Sequence, residues 1–228
     1  GVTNGVSFQA KTTKTYTVTG TDANGCVNTA TSIVTVNDLP TVTATANQTV
    51  CYDASVTLAG SGASTYTWDN GVTNGVSFQA KTTKTYTVTG TDANGCVNTA
   101  TSIVTVNALP TVTATANQTV CYDASVTLAG SGASSYTWDN GVTNGVSFQA
   151  KTTKTYTVTG TDGNGCVNTA TSIVTVNALP NVTATANQTV CYDASVTLSG
   201  SGASSYTWDN GVTNGVSFQA KTTKTYTV

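Results

Sequence analysis

The 228-residue sequence predicts an all-β fold built from tandem β-sandwich modules, and three observations carry that expectation. The first is an internal repeat. Gly-Val-Thr-Asn-Gly-Val-Ser-Phe-Gln-Ala begins at Gly1, Gly71, Gly141 and Gly211, a period of 70 residues, which is the signature of a repeat architecture. The second is the alternation of apolar and polar residues with period two along most of each repeat, the pattern of half-buried strands. The third is composition. Thr, Val, Ala, Asn and Gly dominate, which is strand and turn chemistry, and no segment carries a helical period.

Neighbouring repeats are almost identical. Residues 1–70 and 71–140 differ at Asp38/Ala108 and Thr65/Ser135, and residues 71–140 and 141–210 at Ala93/Gly163, Thr111/Asn181 and Ala129/Ser199. Every change is small, and none falls on a residue of the expected core.

One module is best read from residue 39. Leu39-Pro40 recurs as Leu109-Pro110 and Leu179-Pro180, and a proline with fixed φ and no N–H suits a strand start or a stiff joint. The expected boundaries are residues 1–38, the C-terminal part of a module; 39–108 and 109–178, complete modules; and 179–228, the N-terminal part of another. The repeat is entered and left in mid-period and the sequence contains no Met, so the expectation is an internal stretch of a longer array.

Within residues 39–108 the first strand runs Thr41–Asn47, with Val42, Ala44 and Ala46 on one face. After a kink near Asn47-Gln48, residues 54–60 form the second strand with Val56 and Leu58 inward. Residues 65–69 form the third, carrying Tyr66 and Trp68. Asp69-Asn70-Gly71 and Asn74-Gly75 are turn signals. Residues 76–80 follow with Val76 and Phe78 inward, then residues 85–91 with Tyr86 and Val88 inward. Ala93-Asn94-Gly95 is a hairpin turn into Cys96–Asn107, whose core residues are Ala100, Val104 and Val106. Six or seven short strands with a Trp in the third read as a two-sheet sandwich. Trp68, Tyr86, Trp138 and Tyr156 are its expected core aromatics.

The motifs Thr65-Tyr-Thr-Trp-Asp-Asn-Gly71, Lys84-Thr-Tyr-Thr-Val-Thr-Gly-Thr-Asp-Ala-Asn-Gly-Cys-Val97 and Thr101-Ser-Ile-Val-Thr-Val-Asn107 resemble the immunoglobulin-like and PKD-like repeats of giant surface adhesins of the Bacteroidota, including gliding-motility adhesins exported by the type IX system. The resemblance spans the whole repeat. It implies head-to-tail immunoglobulin-like β-sandwich modules of 70 residues forming an elongated rod or filament, an extracellular or cell-surface location, and a spacer or adhesive role.

Six cysteines lie at 26, 51, 96, 121, 166 and 191, two per period. Outside the cytosol disulfides are the default. No Cys-x-x-Cys spacing and no His supports a metal site. The intra-module alternative, Cys51–Cys96 and Cys121–Cys166, copies the inter-sheet bridge of immunoglobulins. That bridge sits mid-strand, two residues after a corner tyrosine, where this sequence has Val88. The turns near Cys51 and Cys96 are expected at opposite ends of the sandwich, about 33 Å apart, against a limit near 7 Å for a bridged pair. Head-to-tail stacking instead brings Cys51 to Cys166 of the following module. The inter-module pair is favoured, with Cys26, Cys121 and Cys191 pairing likewise outside these residues. The intra-module pairs, Cys26–Cys51-type pairs and free thiols remain as alternatives.

The other candidates are sparse. Asp53 and Asp162 lie near one seam and offer oxygen ligands to calcium, or act as solvated turn aspartates. Trp68 with Tyr66, and their copies, offer a stacking platform for surface glycans or, as in any such sandwich, core. Catalysis has no foothold. His, Arg and Glu are absent, the ten Asp are dispersed in turns, and general acid–base work needs a clustered pair or a His. No cofactor is expected. Charged residues are 8% of the chain and the net charge is −2, with no basic patch for nucleic acid and no apolar run of membrane-spanning length. The expected function is a structural repeat region of an extracellular bacterial fibre or adhesin stalk, stiffened by disulfide-stapled modules. The alternative is a multivalent glycan- or partner-binding adhesin acting by avidity. The expected partners are neighbouring modules, other copies of the chain in a filament, and surface glycans.

Overall fold

The computed structural model describes residues 1–228, and every regular element in it is a β-strand. Two compact units are present: residues 1–110 with 161–167, and residues 111–160 with 168–228.

The first unit opens with a hairpin of β1 (Lys14–Thr21) and β2 (Val27–Val34), paired antiparallel. A full sandwich follows. β3 (Thr43–Ala44) pairs with β6 (Gly60–Ser61), and β5 (Ala54–Thr57) pairs with β8 (Ser77–Ala80). The second strand of the module therefore serves two partners in succession, one along each half. The opposing sheet has the order β4-β10-β9-β7, with β4 Gln48–Cys51, β7 Thr65–Trp68, β9 Lys84–Thr91 and β10 Val97–Asn107. Two sheets over one core, antiparallel except where β4 joins β10, with the first strand contributing to both, are an immunoglobulin-like sandwich.

The core is the set that period-two alternation selects. Val42, Val56, Leu58, Trp68, Ala80, Tyr86, Val88 and Val104 form one buried cluster. Val56, Leu58, Val88 and Val104 are at most 1% exposed, and each such side chain contributes about 1.5–3 kcal/mol of transfer free energy. Phe78 packs on Tyr86 at a centroid distance of 5.4 Å.

Three sequence expectations need correction. Gln48–Cys51 is a strand rather than part of a turn. It leaves the first sheet and runs parallel to β10, with Gln48 opposite Val104 and Cys51 opposite Asn107. Asn47 sits at the crossing, where its Oδ1 accepts the Ile103 N–H at 2.8 Å, so the ladder stays satisfied as the strand changes sheets. Ala46, just before that crossing, is exposed rather than inward. Val76 is 55% exposed, because its N–H closes a turn onto the Thr73 carbonyl before β8 begins.

The second unit repeats this plan. β11 (Thr113–Ala114) pairs with β14 (Gly130–Ser131), and β13 (Ala124–Thr127) with β16 (Ser147–Ala150). The facing sheet has the order β12-β18-β17-β15, from Gln118–Cys121, Val167–Asn177, Lys154–Thr161 and Ser135–Trp138. Val112, Val126, Leu128, Trp138, Ala150, Tyr156, Val158 and Val174 form its core. Residues 179–228 carry only the first sheet: β19 (Thr183–Ala184) on β21 (Gly200–Ser201) and β20 (Ala194–Thr197) on β22 (Ser217–Ala220).

Candidate functional site

The chemistry of this chain gathers at its cysteines, and two short turns position them. Cys51 ends β4. The next two residues reverse the chain: Tyr52 N–H donates to the Asn107 carbonyl at 2.8 Å and Asp53 N–H to the Ala80 carbonyl at 2.8 Å. Asp53 holds φ 65°, a left-handed conformation that Asp tolerates better than most residues. Cys51 is thereby anchored to both sheets.

Cys166 follows the hairpin turn that starts at Asp162. The Asp162 carboxylate Oδ1 accepts the N–H groups of Asn164 and Cys166, each at 2.8 Å. Asp162 N–H donates to the Cys166 carbonyl at 3.0 Å, and Gly165 takes φ +80°. This is an Asx-type turn, and it fixes Cys166 without help from elsewhere in the chain.

The structure brings Cys51 and Cys166 together in a disulfide, with S–S 2.05 Å and Cα–Cα 5.5 Å across 115 residues of sequence. Cys166 is fully buried. With Cys51 and Cys166 joined to each other, Cys96 and Cys121 carry free thiols. Cys26, Cys121 and Cys191 are free and exposed.

The two aspartates proposed for calcium have other partners. Asp53 lies 3.9 Å from Lys81 Nζ with both side chains more than half exposed, a pair of small energetic value. Asp162 is engaged by its own turn. No group of three or more His, Cys, Asp or Glu side chains lies within reach of one ion.

The aromatic candidates are packed. Trp68, Trp138, Tyr86 and Tyr156 are 6–9% exposed. Trp68 Nε1 donates to Asn74 Oδ1 at 2.9 Å, and the same oxygen accepts the Gly60 N–H at 2.7 Å. Tyr66 Oη donates to the Ala63 carbonyl at 2.6 Å and accepts the Ala63 N–H at 2.7 Å. These side chains tie the loops around β7 to the core. Burial, and secondarily the Asp69 and Asp139 carboxylates, raise the pKa values of Tyr86 and Tyr156 above the usual phenol value. Sequence reasoning missed the exposed aromatics, Tyr52 and Tyr122 at 45% and Tyr192 at 78%. Each follows a cysteine, and that adjacency was the available signal.

No protein-family model matches the chain, and no curated protein matches it. Solved structures do. A Ca2+-stabilized adhesin with which an Antarctic bacterium binds ice is 20% identical, over 76% of this chain and 60% of that one, with a TM-score of 0.33. A 1.5-MDa bacterial ice-binding adhesin is 17% identical over 72% and 74%, with a TM-score of 0.27. An I-band fragment of titin is 12% identical over 73% and 75%, with a TM-score of 0.33. The chain thus spans less than two thirds of the first of these structures. The class of protein rests on the ladders described above: the chain is a tandem array of immunoglobulin-like β-sandwiches.

Proposed function

We propose that this chain is the structural repeat region of an extracellular bacterial fibre or adhesin stalk. Length comes from the number of repeats, and stiffness from joints stapled by disulfides. The observation that carries the reading is the Cys51–Cys166 bond, which joins residues more than one 70-residue period apart. Closing a loop of that size removes about 4–5 kcal/mol of denatured-state entropy in the chain-entropy treatment. Near-identity of the repeats supports spacing over recognition, because each module in such an array contacts chiefly its neighbours. The resemblance of the motifs to Bacteroidota surface repeats supports a secreted, cell-surface location and export by the type IX route. Small-angle scattering of the oxidised and reduced chain tests the reading. The expected result is an extended particle whose maximum dimension fluctuates more after reduction. A collapsed particle in both states overturns it.

A multivalent adhesin is the second reading, favoured by one observation: an exposed tyrosine recurs once per period at Tyr52, Tyr122 and Tyr192. Weak binding at each would multiply through avidity. Glycan-array binding that Tyr52→Ala, Tyr122→Ala and Tyr192→Ala together abolish would select it.

A further inference from the structure

The bond between Cys51 and Cys166 fixes a path for tension as well as a loop. Cys51 is the last residue of β4 (Gln48–Cys51), and Cys166 immediately precedes β18 (Val167–Asn177). A pull applied from outside residues 39–178 enters β4 at its N-terminal end and reaches Cys51 along that one strand. Two covalent routes open there. One is the backbone through residues 52–165. The other is a single disulfide, with Cα–Cα 5.5 Å. The shorter route comes taut first, and it leaves through Cys166 and along β18. Strands β5 to β17 all lie on the longer route.

Without the bond, the same pull crosses each complete module from its first strands to its last. Those strands are neighbours: β4 pairs parallel with β10, and β12 with β18. The chain enters at the N-terminal end of one and leaves from the C-terminal end of the other. Opposing pulls therefore arrive at opposite ends of the paired stretch, and its hydrogen bonds are loaded together rather than one at a time. Each stretch is fastened at both ends. Asn47 Oδ1 and Asn117 Oδ1 accept the Ile103 and Ile173 N–H groups at 2.8 Å. The Tyr52 and Tyr122 N–H groups donate to the Asn107 and Asn177 carbonyls at 2.8 Å.

We propose that the Cys51–Cys166 bond is a tension shunt. In the bonded chain a pull across residues 39–178 runs through β4, the disulfide and β18. Neither β4 against β10 nor β12 against β18 is sheared, so both complete modules keep their fold under load. In the chain without the bond the same pull shears both ladders, and each module opens at a rate set by its unfolding barrier, as forced unfolding does generally.

The bond is protected in the state where it carries the load. Cys166 is 0% exposed, and exchange with an outside thiol depends on access to the sulfur. The amount of chain withheld is large. A separation of 115 residues corresponds to roughly 380–410 Å of extended backbone. The shunt deepens the stalk reading and rests on it for its role: the stalk keeps its length because its modules are bypassed.

The test is single-molecule force extension of the whole chain, held by its two termini. The oxidised chain should reach full extension roughly 380–410 Å short of the reduced one and show no step as long as a complete module. Dithiothreitol then donates two electrons, becomes a cyclic disulfide and returns Cys51 and Cys166 to thiols. Two added steps are expected, each approaching roughly 230–250 Å, the extended length of one 70-residue period. Cys166→Ser should show the same two steps with no dithiol present. Asn47→Ala should lower the force of one of the two steps after reduction and leave the oxidised trace unchanged. Module-length steps in the oxidised chain overturn the shunt, as does a reduced chain no longer than the oxidised one. Two steps at the wild-type force in reduced Asn47→Ala overturn the shearing of β4 against β10. A particle that is collapsed by scattering yet shows the shunt sinks the stalk reading alone.

Discussion

Cys51 and Cys166 are bonded across 115 residues, and each is held by a turn of its own. The bond is a constraint on the denatured chain more than a maker of local structure. Cys166→Ser should therefore leave the ladders intact, as read by circular dichroism, and lower the first unfolding transition in urea by about 4–5 kcal/mol in the entropic account. Reduction of the wild type should produce the same loss. An unchanged midpoint would place the stability elsewhere.

Asn74 supports two donors at once, Trp68 Nε1 and the Gly60 N–H. Asn74→Ala leaves both unpaired beside the core, and an unsatisfied donor costs about 1–3 kcal/mol. Asn74→Asp keeps the accepting oxygen and should retain most of the stability. Urea midpoints, followed by tryptophan fluorescence, separate the two variants. Equal losses would mean that the side-chain amine, not Oδ1, matters.

Two glycines separate packing from conformation. Gly62 has φ +89°, and a Cβ there would lie 1.8 Å from the Thr41 carbonyl oxygen, whereas Gly95 has φ +81° and nothing within 4 Å. Gly95→Ala meets only the left-handed penalty of about 1 kcal/mol. Gly62→Ala must also move a backbone carbonyl, so its loss should exceed about 3 kcal/mol. Comparable midpoints for the two variants would refute the steric account.

Period-two alternation located Val56, Leu58, Tyr86, Val88 and Val104 in the core, because a sheet face buried on one side imposes that period. It misplaced Ala46 and Val76, which keep the apolar pattern but sit where the chain crosses or turns. Gln48–Cys51 was illegible as a strand. It is short and partly polar, and its partner in β10 lies more than 50 residues on in parallel register. The double role of Asn74 was hidden for another reason: Asn before Gly reads as turn chemistry, and the reach of its side chain to Trp68 appears only after the loop folds. The spacing of the cysteines could be argued from sequence because the turns that hold them carry explicit signals in Asp53 and in Asp162–Gly165.

The phenols of Tyr86 and Tyr156 give the last prediction. Burial first, and then the negative charge of Asp69 or Asp139, raise each pKa above the 10.0 of a free phenol. The folded state therefore holds the phenolic proton more tightly than the unfolded state does. By linkage the resulting stability is fully present below about pH 10 and is lost as pH rises through the raised folded values. Titration by tyrosinate absorbance should show ionisations absent from Tyr86→Phe and Tyr156→Phe that shift down once urea unfolds the chain. Asp69→Asn keeps an oxygen for the Thr87 N–H, now accepted by the Asp69 carboxylate at 3.0 Å, but removes the charge. It should lower the Tyr86 transition part of the way and leave Tyr156 unmoved. A full return to the free value would mean that charge rather than burial dominates.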